Sequence, residues 1–390
     1  MQICICRVRV EYSFDEIVIH ARTGLNPRKN FILGKGNNRY ITIKNIKDNS
    51  LVIDDNTDFI DDKAIDMIHK RSQIKKGDIL FASIGRFGDT YIIEEEPTGW
   101  DINESVFAFT VDEKLIRQKY FHYLFKHKET IRQLTKNSSG STFKSIKMNQ
   151  LKKMRFDLPD LNSQDIIVSL LDCVTNIISI YEQELLLLDE LVKARFVEMF
   201  GNPVSNSKDL PIQKMSNVAP ICQYDGSFEE RVWLLNLDMV ESQTGRIINY
   251  NIVGKDEIGG SVCTFDENNI LYSKLRPYLN KVVIPNDKGY ATSELVPLRP
   301  DNKIINRIYL AYLLRSNEFV EMIKEKVAGA KMPRVSMSDF REFNVPIPPL
   351  ELQNQFASFV QEIDKSRSHI QKSLEASQEL FDSLMQEYFG

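Results

Sequence analysis

The sequence predicts an α+β protein in which a β-rich domain followed by a long helix occurs twice, as a pseudo-two-fold internal repeat. Three observations lead to this prediction. Segments 164–200 and 353–389 contain no Pro or Gly and carry apolar residues every three or four positions, which is typical of a helix that packs along a partner. The two segments are offset by 189 residues (353 − 164). Short β-branched segments separated by turn residues precede each of them.

Each long segment has an apolar seam with heptad spacing. We expect the two seams to pair with each other, because such a helix gains most of its stability by packing its apolar stripe. At about 1.5 Å per residue, about 36 residues make a rod of roughly 54 Å. Arg367 and Ser377 interrupt the second seam. They either specify the register of the helix pair or face a partner protein. The alternative is an exposed arginine whose side chain extends to solvent. The seam residues that we expect to pack are Ile167, Leu171, Val174, Ile178, Leu185, Leu188, Phe356, Val360, Ile363 and Leu374.

The first β-rich domain is predicted from β-branched runs separated by turns. We predict strands at 40–43, 79–84, 90–93 and 105–110, followed by a helix at 113–135.

A basic stretch follows that helix. Residues 132–155 include seven Lys or Arg and no Asp or Glu, although the chain has a net charge of −4. A local basic surface can contact phosphates, and the alternative is a solvated basic helix end and loop. The candidate DNA contacts in this stretch are Lys136, Ser139, Lys144 and Lys147.

The second half repeats the same order of elements. Segments 231–235, 269–277 and 294–298 take the places of the earlier strands, and 307–325 is the second short helix. Because the strand-rich parts differ more than the long helices do, we expect a shared frame with two different recognition surfaces.

Arginines in equivalent turns are further candidates for DNA contact. Arg86 and Arg276 each follow a buried strand, where the side chain either reads a guanine or pairs with a carboxylate of its own domain. The remaining candidates in the second half are Lys274, Lys331 and Arg334.

The composition and motifs disfavour several classes of protein. The five cysteines are scattered without a CxxC pair, and the five histidines show no ligand spacing, so we expect no metal site. No GxxxxGK[ST] motif or other cofactor-binding glycine loop is present, so we expect no catalytic site in this chain. The charged start and the polar residues in 166–180 argue against a signal peptide or membrane span, and we expect a cytoplasmic protein.

Four segments resemble the specificity subunit of type I restriction-modification systems. Gly77-Asp78-Ile79-Leu80 and Asn269-Ile270-Leu271-Tyr272 are similar to a strand motif of that family, and 347–353 (IPPLELQ) resembles its lead-in to a long helix. The segment 158–164 (LPDLNSQ) is a weaker version of the same lead-in.

The resemblance implies a division of labour between domains and helices. Residues 1–160 and 202–350 would be target recognition domains, each reading one half of a bipartite double-stranded DNA site. Residues 161–201 and 351–390 would be conserved helices that pair antiparallel, set the spacing between half-sites and dock two methyltransferase subunits. S-adenosylmethionine and ATP would be bound by partner subunits, which include a restriction subunit in some systems, and the chain itself would be non-catalytic.

The alternative function is a coiled-coil scaffold that presents two diverged protein-binding modules without DNA. The basic stretch and the resemblance both favour DNA recognition. A steep dependence of binding on salt would distinguish phosphate contacts from a mostly apolar protein interface.

Overall fold

The computed structural model describes residues 9–28, 30–47, 50–85, 88–137, 145–328 and 332–390. The chain divides into two compact units. The first unit takes Met1–Ile180 and Leu374–Gly390, and the second takes Tyr181–Ser373. Each unit therefore contains one β-rich region together with part of each long helix.

The first half of the chain forms short strands around a four-stranded antiparallel sheet. The strands are β1 (Val10–Ser13), β2 (Val18–Thr23), β3 (Asn38–Ile41), β4 (Ile46–Lys47), β5 (Ser50–Leu51), β6 (Phe59–Ile60), β7 (Ile79–Ala82), β8 (Thr90–Ile92), β9 (Trp100–Ile102), β10 (Val106–Val111) and β11 (Arg155–Leu158). The helices are α1 (Phe14–Ile17), α2 (Asp62–Ser72), α3 (Gln118–Leu124), α4 (Lys128–Asn137), α5 (Met148–Leu151) and α6 (Leu161–Phe200). The sheets have the strand orders β2-β10-β7-β8, β6-β3-β9, β1-β11 and β4-β5.

The core of the first unit forms where β7 and β10 meet α3. All four residues of β7 are buried, and Phe81 packs edge-on against Phe125 with ring centroids 5.3 Å apart. Ile167 from the start of α6 joins this core, as does Tyr388 from residues 374–390. Burying a side chain of this size contributes roughly 1.5–3 kcal/mol. The long helices are therefore part of the domain core rather than an appendage to it.

The second half of the chain forms an equivalent set of elements. The strands are β12 (Ile212–Lys214), β13 (Arg231–Leu235), β14 (Asn251–Gly254), β15 (Val262–Phe265), β16 (Ile270–Ser273), β17 (Val282–Val283), β18 (Gly289–Thr292), β19 (Leu295–Leu298), β20 (Val327–Ala328), β21 (Arg334–Val335) and β22 (Asn344–Pro346). The helices are α7 (Met215–Val218), α8 (Arg307–Arg315), α9 (Asn317–Lys324), α10 (Met337–Glu342) and α11 (Leu350–Phe389), with 3₁₀ turns at Leu237–Met239, Lys255–Glu257 and Pro277–Leu279. The sheets have the orders β14-β13-β18-β15, β17-β16-β19, β12-β22 and β20-β21.

Strand pairing confirms the predicted internal repeat. In the first unit β3 runs parallel to β9, and in the second unit β13 runs parallel to β18. The order β8-β7-β10 in the first unit corresponds to β17-β16-β19 in the second. The two units thus share a parallel strand pair and a three-strand antiparallel arrangement, although β2 adds a fourth strand in the first unit and β15 adds a fourth strand to the other sheet in the second.

The two long helices run antiparallel within each unit. In the first unit Ile167 and Leu171, near the start of α6, share a core with Met385, near the end of α11. In the second unit Phe196, near the end of α6, packs against Phe356, near the start of α11, with ring centroids 5.5 Å apart. Each helix has 40 residues and is therefore about 60 Å long.

The predicted seam positions are the inward positions of both helices. By length and composition, α6 is the one described helix that could cross a membrane. Its inward face carries this seam. Ile167, Leu171, Val174, Phe356 and Val360 are buried, and Ile178, Leu185, Leu188, Ile363 and Leu374 are half-buried.

Two predicted helices are each broken into two. The segment predicted as 113–135 forms α3 and α4, because the chain turns after α3 to bury Phe125 in the core. The segment predicted as 307–325 forms α8 and α9. Ser316 ends α8, and its hydroxyl then caps α9 by accepting the Phe319 N–H at 3.3 Å.

Helix α2 was not predicted from the sequence. Its N-cap, Asp61, accepts the Ala64 N–H at 2.8 Å, and its buried face includes Ile68. The acidic cap followed by apolar residues at helical spacing was the available signal.

Candidate nucleic-acid interface

One buried glutamine joins the first long helix to its β-rich region. The Gln164 Nε2 donates to the carbonyl oxygens of Leu115 and Pro159, at 2.9 Å each. Its Oε1 accepts the Arg117 N–H at 2.9 Å. The side chain has no solvent exposure, so all three hydrogen bonds form away from competing water.

The second long helix begins with the same arrangement, shifted by 189 residues. The Gln353 Nε2 donates to the carbonyls of Ile304 and Pro348, at 3.2 and 2.8 Å, and its Oε1 accepts the Asn306 N–H at 2.7 Å. Every position equals its counterpart in the first unit plus 189. Each β-rich region is therefore held to the start of its long helix by the same contacts.

The polar residue that begins each buried strand has a structural role. In the first unit the buried Asp78 accepts from the Lys75 N–H, the Thr110 hydroxyl and Arg22, at 3.0, 2.6 and 2.7 Å. These bonds fix the turn before β7, so this residue of the strand motif does not face a ligand.

Asn269 occupies the equivalent position before β16. Its side chain accepts the Asp266 N–H at 3.0 Å and donates to the carbonyls of Cys222 and Leu298. The first repeat has Asp and the second has Asn at this position. Both side chains hold the turn before the strand, but the asparagine also donates hydrogen bonds, whereas the aspartate only accepts them.

Two segments that are distant in the first half of the sequence meet at the end of β7. Ile84 forms an isolated β-bridge with Ser145, and the Ile146 N–H donates to the Ser83 carbonyl at 2.9 Å. The end of the buried strand therefore lies beside Ser145 and Ile146.

The equivalent segments meet in the second unit. Leu275 bridges to Arg334, and the Val335 N–H donates to the Lys274 carbonyl at 2.9 Å. The Arg276 N–H donates to the Pro333 carbonyl at 2.8 Å. We call this meeting of strand end and loop the junction of each unit, and in the second unit it brings together Lys274, Arg276 and Arg334.

Several basic residues near the first junction form ion pairs with carboxylates. Arg132 pairs with Glu129, Lys152 pairs with Asp15, and Arg155 pairs with Glu11. The exposed lysines with no ion pair among the described residues are Lys136, Lys147 and Lys153. Arg86, Ser139 and Lys144, and Lys331 in the second half, lie outside the described residues.

At the second junction, the two predicted arginines have different surroundings. Arg334 donates to both carboxylate oxygens of Glu294, from Nη2 to Oε1 at 2.7 Å and from Nε to Oε2 at 3.2 Å, and this hydrogen bonding lowers the pKa of the Glu294 carboxyl. Lys274 is half-buried, and its N–H donates to the Glu294 carbonyl at 3.0 Å. Arg276 is exposed, and the part of the chain that the structure describes offers its guanidinium no ion-pair partner.

The backbone at Arg276 is constrained. Its φ of 49° lies in the left-handed region, which is uncommon for a residue with a side chain, and Pro277 follows it. Asn280 closes the same turn at φ 50°. The turn therefore presents the Arg276 side chain to solvent from a defined backbone.

An exposed apolar strip that sequence patterns had not identified lies at an edge of the second unit. Ile248, Tyr250 and Ile252 are exposed, and β14 is an edge strand of its sheet. Tyr250 stacks on Trp233 with ring centroids 5.1 Å apart. Apolar residues alternating with Asn249 and Asn251 were the available signal in the sequence.

A groove of about 630 Å³ opens in the second unit between α6, α8 and the loop before β14. Its walls include Asp189, Arg246, Tyr312 and Arg315. Within the described ranges no group of three or more His, Cys, Asp or Glu is placed to hold a metal ion.

Comparisons with known proteins agree with this arrangement. Residues 11–189 and 238–377 match the family described as type I restriction modification DNA specificity domain. The chain is 22% identical over 305 residues to the type I restriction enzyme EcoDI specificity subunit of Escherichia coli, covering 68% of this chain and 67% of that protein.

Two solved structures share the fold. The S subunit of a type I restriction-modification system from M. genitalium superposes with a TM-score of 0.60 at 14% identity, covering 100% of this chain and 98% of the other. A chain from a study of complex assembly and conformational transition of the type I R-M system gives a TM-score of 0.59 at 15% identity, with 99% and 98% covered.

Proposed function

The chain belongs to the type I restriction-modification DNA specificity family, so its role is DNA recognition, and on that premise we propose that each unit reads one half of a bipartite site. The junction carries this proposal, because it occurs once in each unit at equivalent places. The first junction lies near exposed lysines and the second presents Arg276, so the two halves offer different side chains to the duplex. The alternative of a scaffold without DNA has no support from the family.

Residues at the two junctions have one of two roles, which are to position the domain on the duplex and to read bases. Lys136 and Lys147 neutralise phosphates, which fixes the domain on the duplex without selecting a sequence. Arg276 is the candidate for base contact, because a guanidinium can donate two parallel hydrogen bonds to guanine. Arg334 is held by Glu294 and therefore supports the junction more than it contacts bases.

The long helices set the spacing between half-sites and dock two methyltransferase subunits. Leu187 and Leu191 support the docking role, since they lie one turn apart on α6 and are 61% and 47% exposed. Neighbouring exposed leucines form an apolar surface that a partner can cover. S-adenosylmethionine is bound by the methyltransferase subunits, and ATP by a restriction subunit where one is present. The chain contributes recognition and no catalytic group, and the complex acts in the cytoplasm.

Methylation mapping of the host genome, with and without the gene, tests this function. We expect deletion to remove methyladenine from one split motif, on both of its halves. Restoring the gene should restore the same motif. Unchanged methylation in a strain that expresses both this chain and a methyltransferase partner would contradict the proposal.

A further inference from the structure

A carboxylate on the first long helix bridges three elements of the second unit. Asp189 of α6 accepts from the Arg246 Nη2 at 2.5 and 2.6 Å and from the Arg367 Nη2 at 2.5 Å. Arg246 belongs to the loop before β14, and Arg367 belongs to α11. The side chains of Asp189, Arg246 and Arg367 are 26%, 38% and 15% exposed. We call these three residues the Asp189 cluster.

Arg367 lies in the apolar seam, where most of its side chain is shielded from solvent. Its guanidinium pairs with Asp364 one turn earlier on α11 as well as with Asp189 across the seam. Sliding one helix by a residue would move these groups about 1.5 Å apart along the axis, and by a turn about 5.4 Å. Because Asp364 lies on the same helix and moves with Arg367, such a shift breaks the contact with Asp189, and the loss of this ion pair between helices favours the observed register.

Arg246 is held in a tight loop. The Glu241 N–H donates to the Arg246 carbonyl at 2.8 Å, and the Glu241 carboxylate lies 3.7 Å from the guanidinium. The preceding Gly245 has a φ of +67°, and a Cβ there would lie 1.8 Å from the Val282 carbonyl oxygen. The loop cannot shift without disturbing the sheet beneath it, so the contact with Asp189 transmits the position of α6 to the domain.

The same loop reaches the second junction. The Gln243 N–H donates to the Leu279 carbonyl at 2.9 Å, and its Nε2 donates to the Tyr278 carbonyl at 3.0 Å. Both carbonyls belong to the turn that begins at Arg276. Hydrogen bonds therefore run from the helix pair through the loop to the turn that presents Arg276.

The residues at the equivalent positions of the first unit cannot form this cluster. Subtracting 189 from Arg367 gives Ile178, and adding 189 to Asp189 gives Gln378. Neither side chain can form this ion pair, yet the first unit has the same parallel strand pair and the same glutamine contact. The cluster is therefore not a requirement of the fold.

We propose that the Asp189 cluster is a positioning device, which fixes the register of the helix pair and the orientation of the second recognition domain, and thereby makes the complex selective for one spacer length. This inference rests on the proposed reading of a bipartite site. In it, Asp189 and Arg367 act through the helices, and no residue of the cluster contacts DNA.

The test uses the complete complex with its methyltransferase subunits and duplexes that differ only in spacer length. We compare wild type with Asp189→Asn, Arg246→Gln and Arg367→Gln, and measure methylation of the native spacer against spacers one base pair shorter or longer. We expect the preference for the native spacer to fall by about tenfold, equivalent to about 1.4 kcal/mol, while the half-site bases stay the same.

Glu198→Gln is the matched control, because it removes a carboxylate that pairs with Arg195 within α6 and, among the described residues, forms no ion pair with another element. Asp189→Glu keeps the charge and should retain most of the preference. If Asp189→Asn does not assemble, Arg246→Gln decides, because it leaves the Asp189–Arg367 pair intact and removes the contacts of Arg246 with Asp189 and Glu241. Unchanged spacer preference in the assembled variants would overturn the inference, whereas a wild-type complex indifferent to the bipartite site would overturn the proposed function.

Discussion

Gln164 and Gln353 show what a repeat preserves at the scale of single residues. Their common offset is visible in the sequence, so equivalent positions could be predicted. Their hydrogen-bond partners could not, because Leu115 lies 49 residues before Gln164 and nothing local indicates that the two meet. The ion pair between Glu294 and Arg334, 40 residues apart, was hidden for the same reason.

Replacing Gln164 with Ala should destabilise the first unit. The change leaves one buried N–H and two carbonyls unpaired, which costs roughly 3 kcal/mol. Urea unfolding measures this loss, with Gln378→Ala as the control because Gln378 is exposed on α11 in the same unit. Equal effects of the two substitutions would show that the buried contacts contribute little.

Replacing Arg276 with Ala should weaken DNA binding without affecting assembly. The substitution removes an exposed guanidinium at the junction, so we expect affinity for the specific duplex to fall, with a loss of roughly 1–3 kcal/mol if it reads a base. Titrations at several salt concentrations separate the two roles, because loss of a phosphate contact alone lowers the salt slope by about one.

Arg195→Ala is the control for that experiment, since it removes the same charge from an exposed position of α6. Arg276→Ala binding as tightly as Arg195→Ala at every salt concentration would remove Arg276 from the interface.

At the scale of elements, periodicity predicted the long helices but not the breaks in the short ones. The seam was readable because its apolar residues recur over many turns. The break at Phe125 could not be predicted, because Phe125 continues the helical pattern of apolar residues. In the structure α3 ends before Phe125, whose side chain is buried in the core. The parallel pairing of β3 with β9 also depends on tertiary contacts that a local pattern does not contain.

Lengthening both long helices by one heptad should lengthen the spacer of the recognised site. Seven residues inserted after Ile180 and after His369, its counterpart at +189, preserve the seam and add about 10.5 Å, or about three base pairs. Methylation mapping should show the same half-sites farther apart. Insertion in one helix only mismatches the seams and should abolish assembly, and a change in the recognised bases would refute the spacing role.

At the scale of the whole molecule, the sequence predicted the architecture better than the recognition surface. The duplication and the heptad seam both extend over many residues, so single substitutions do not obscure them. The surface depends on individual side chains, and the basic stretch illustrates this: Lys152 and Arg155 are paired with carboxylates from residues 11–15, far away in sequence.

Replacing both Leu187 and Leu191 with Gln should prevent methyltransferase subunits from co-purifying with the chain. The two side chains are exposed, so the fold should tolerate the change while a complementary apolar surface loses its contact. Val197→Gln is the control, because Val197 is similarly exposed on another face of α6. Equal recovery of the partner with all variants would place the docking surface elsewhere.

The composition of the first unit has a consequence for biosynthesis. Its core needs Met385 and Tyr388, but 193 residues (181–373) separate the two parts of the unit. At a translation rate of about 5–20 residues per second, the ribosome takes roughly 10–40 s to make that intervening segment. During this interval Ile167 and Leu171 lack their partners from α11, so the nascent chain exposes an apolar surface that chaperones can bind. A premature stop codon in the second half would therefore leave the first unit unfinished.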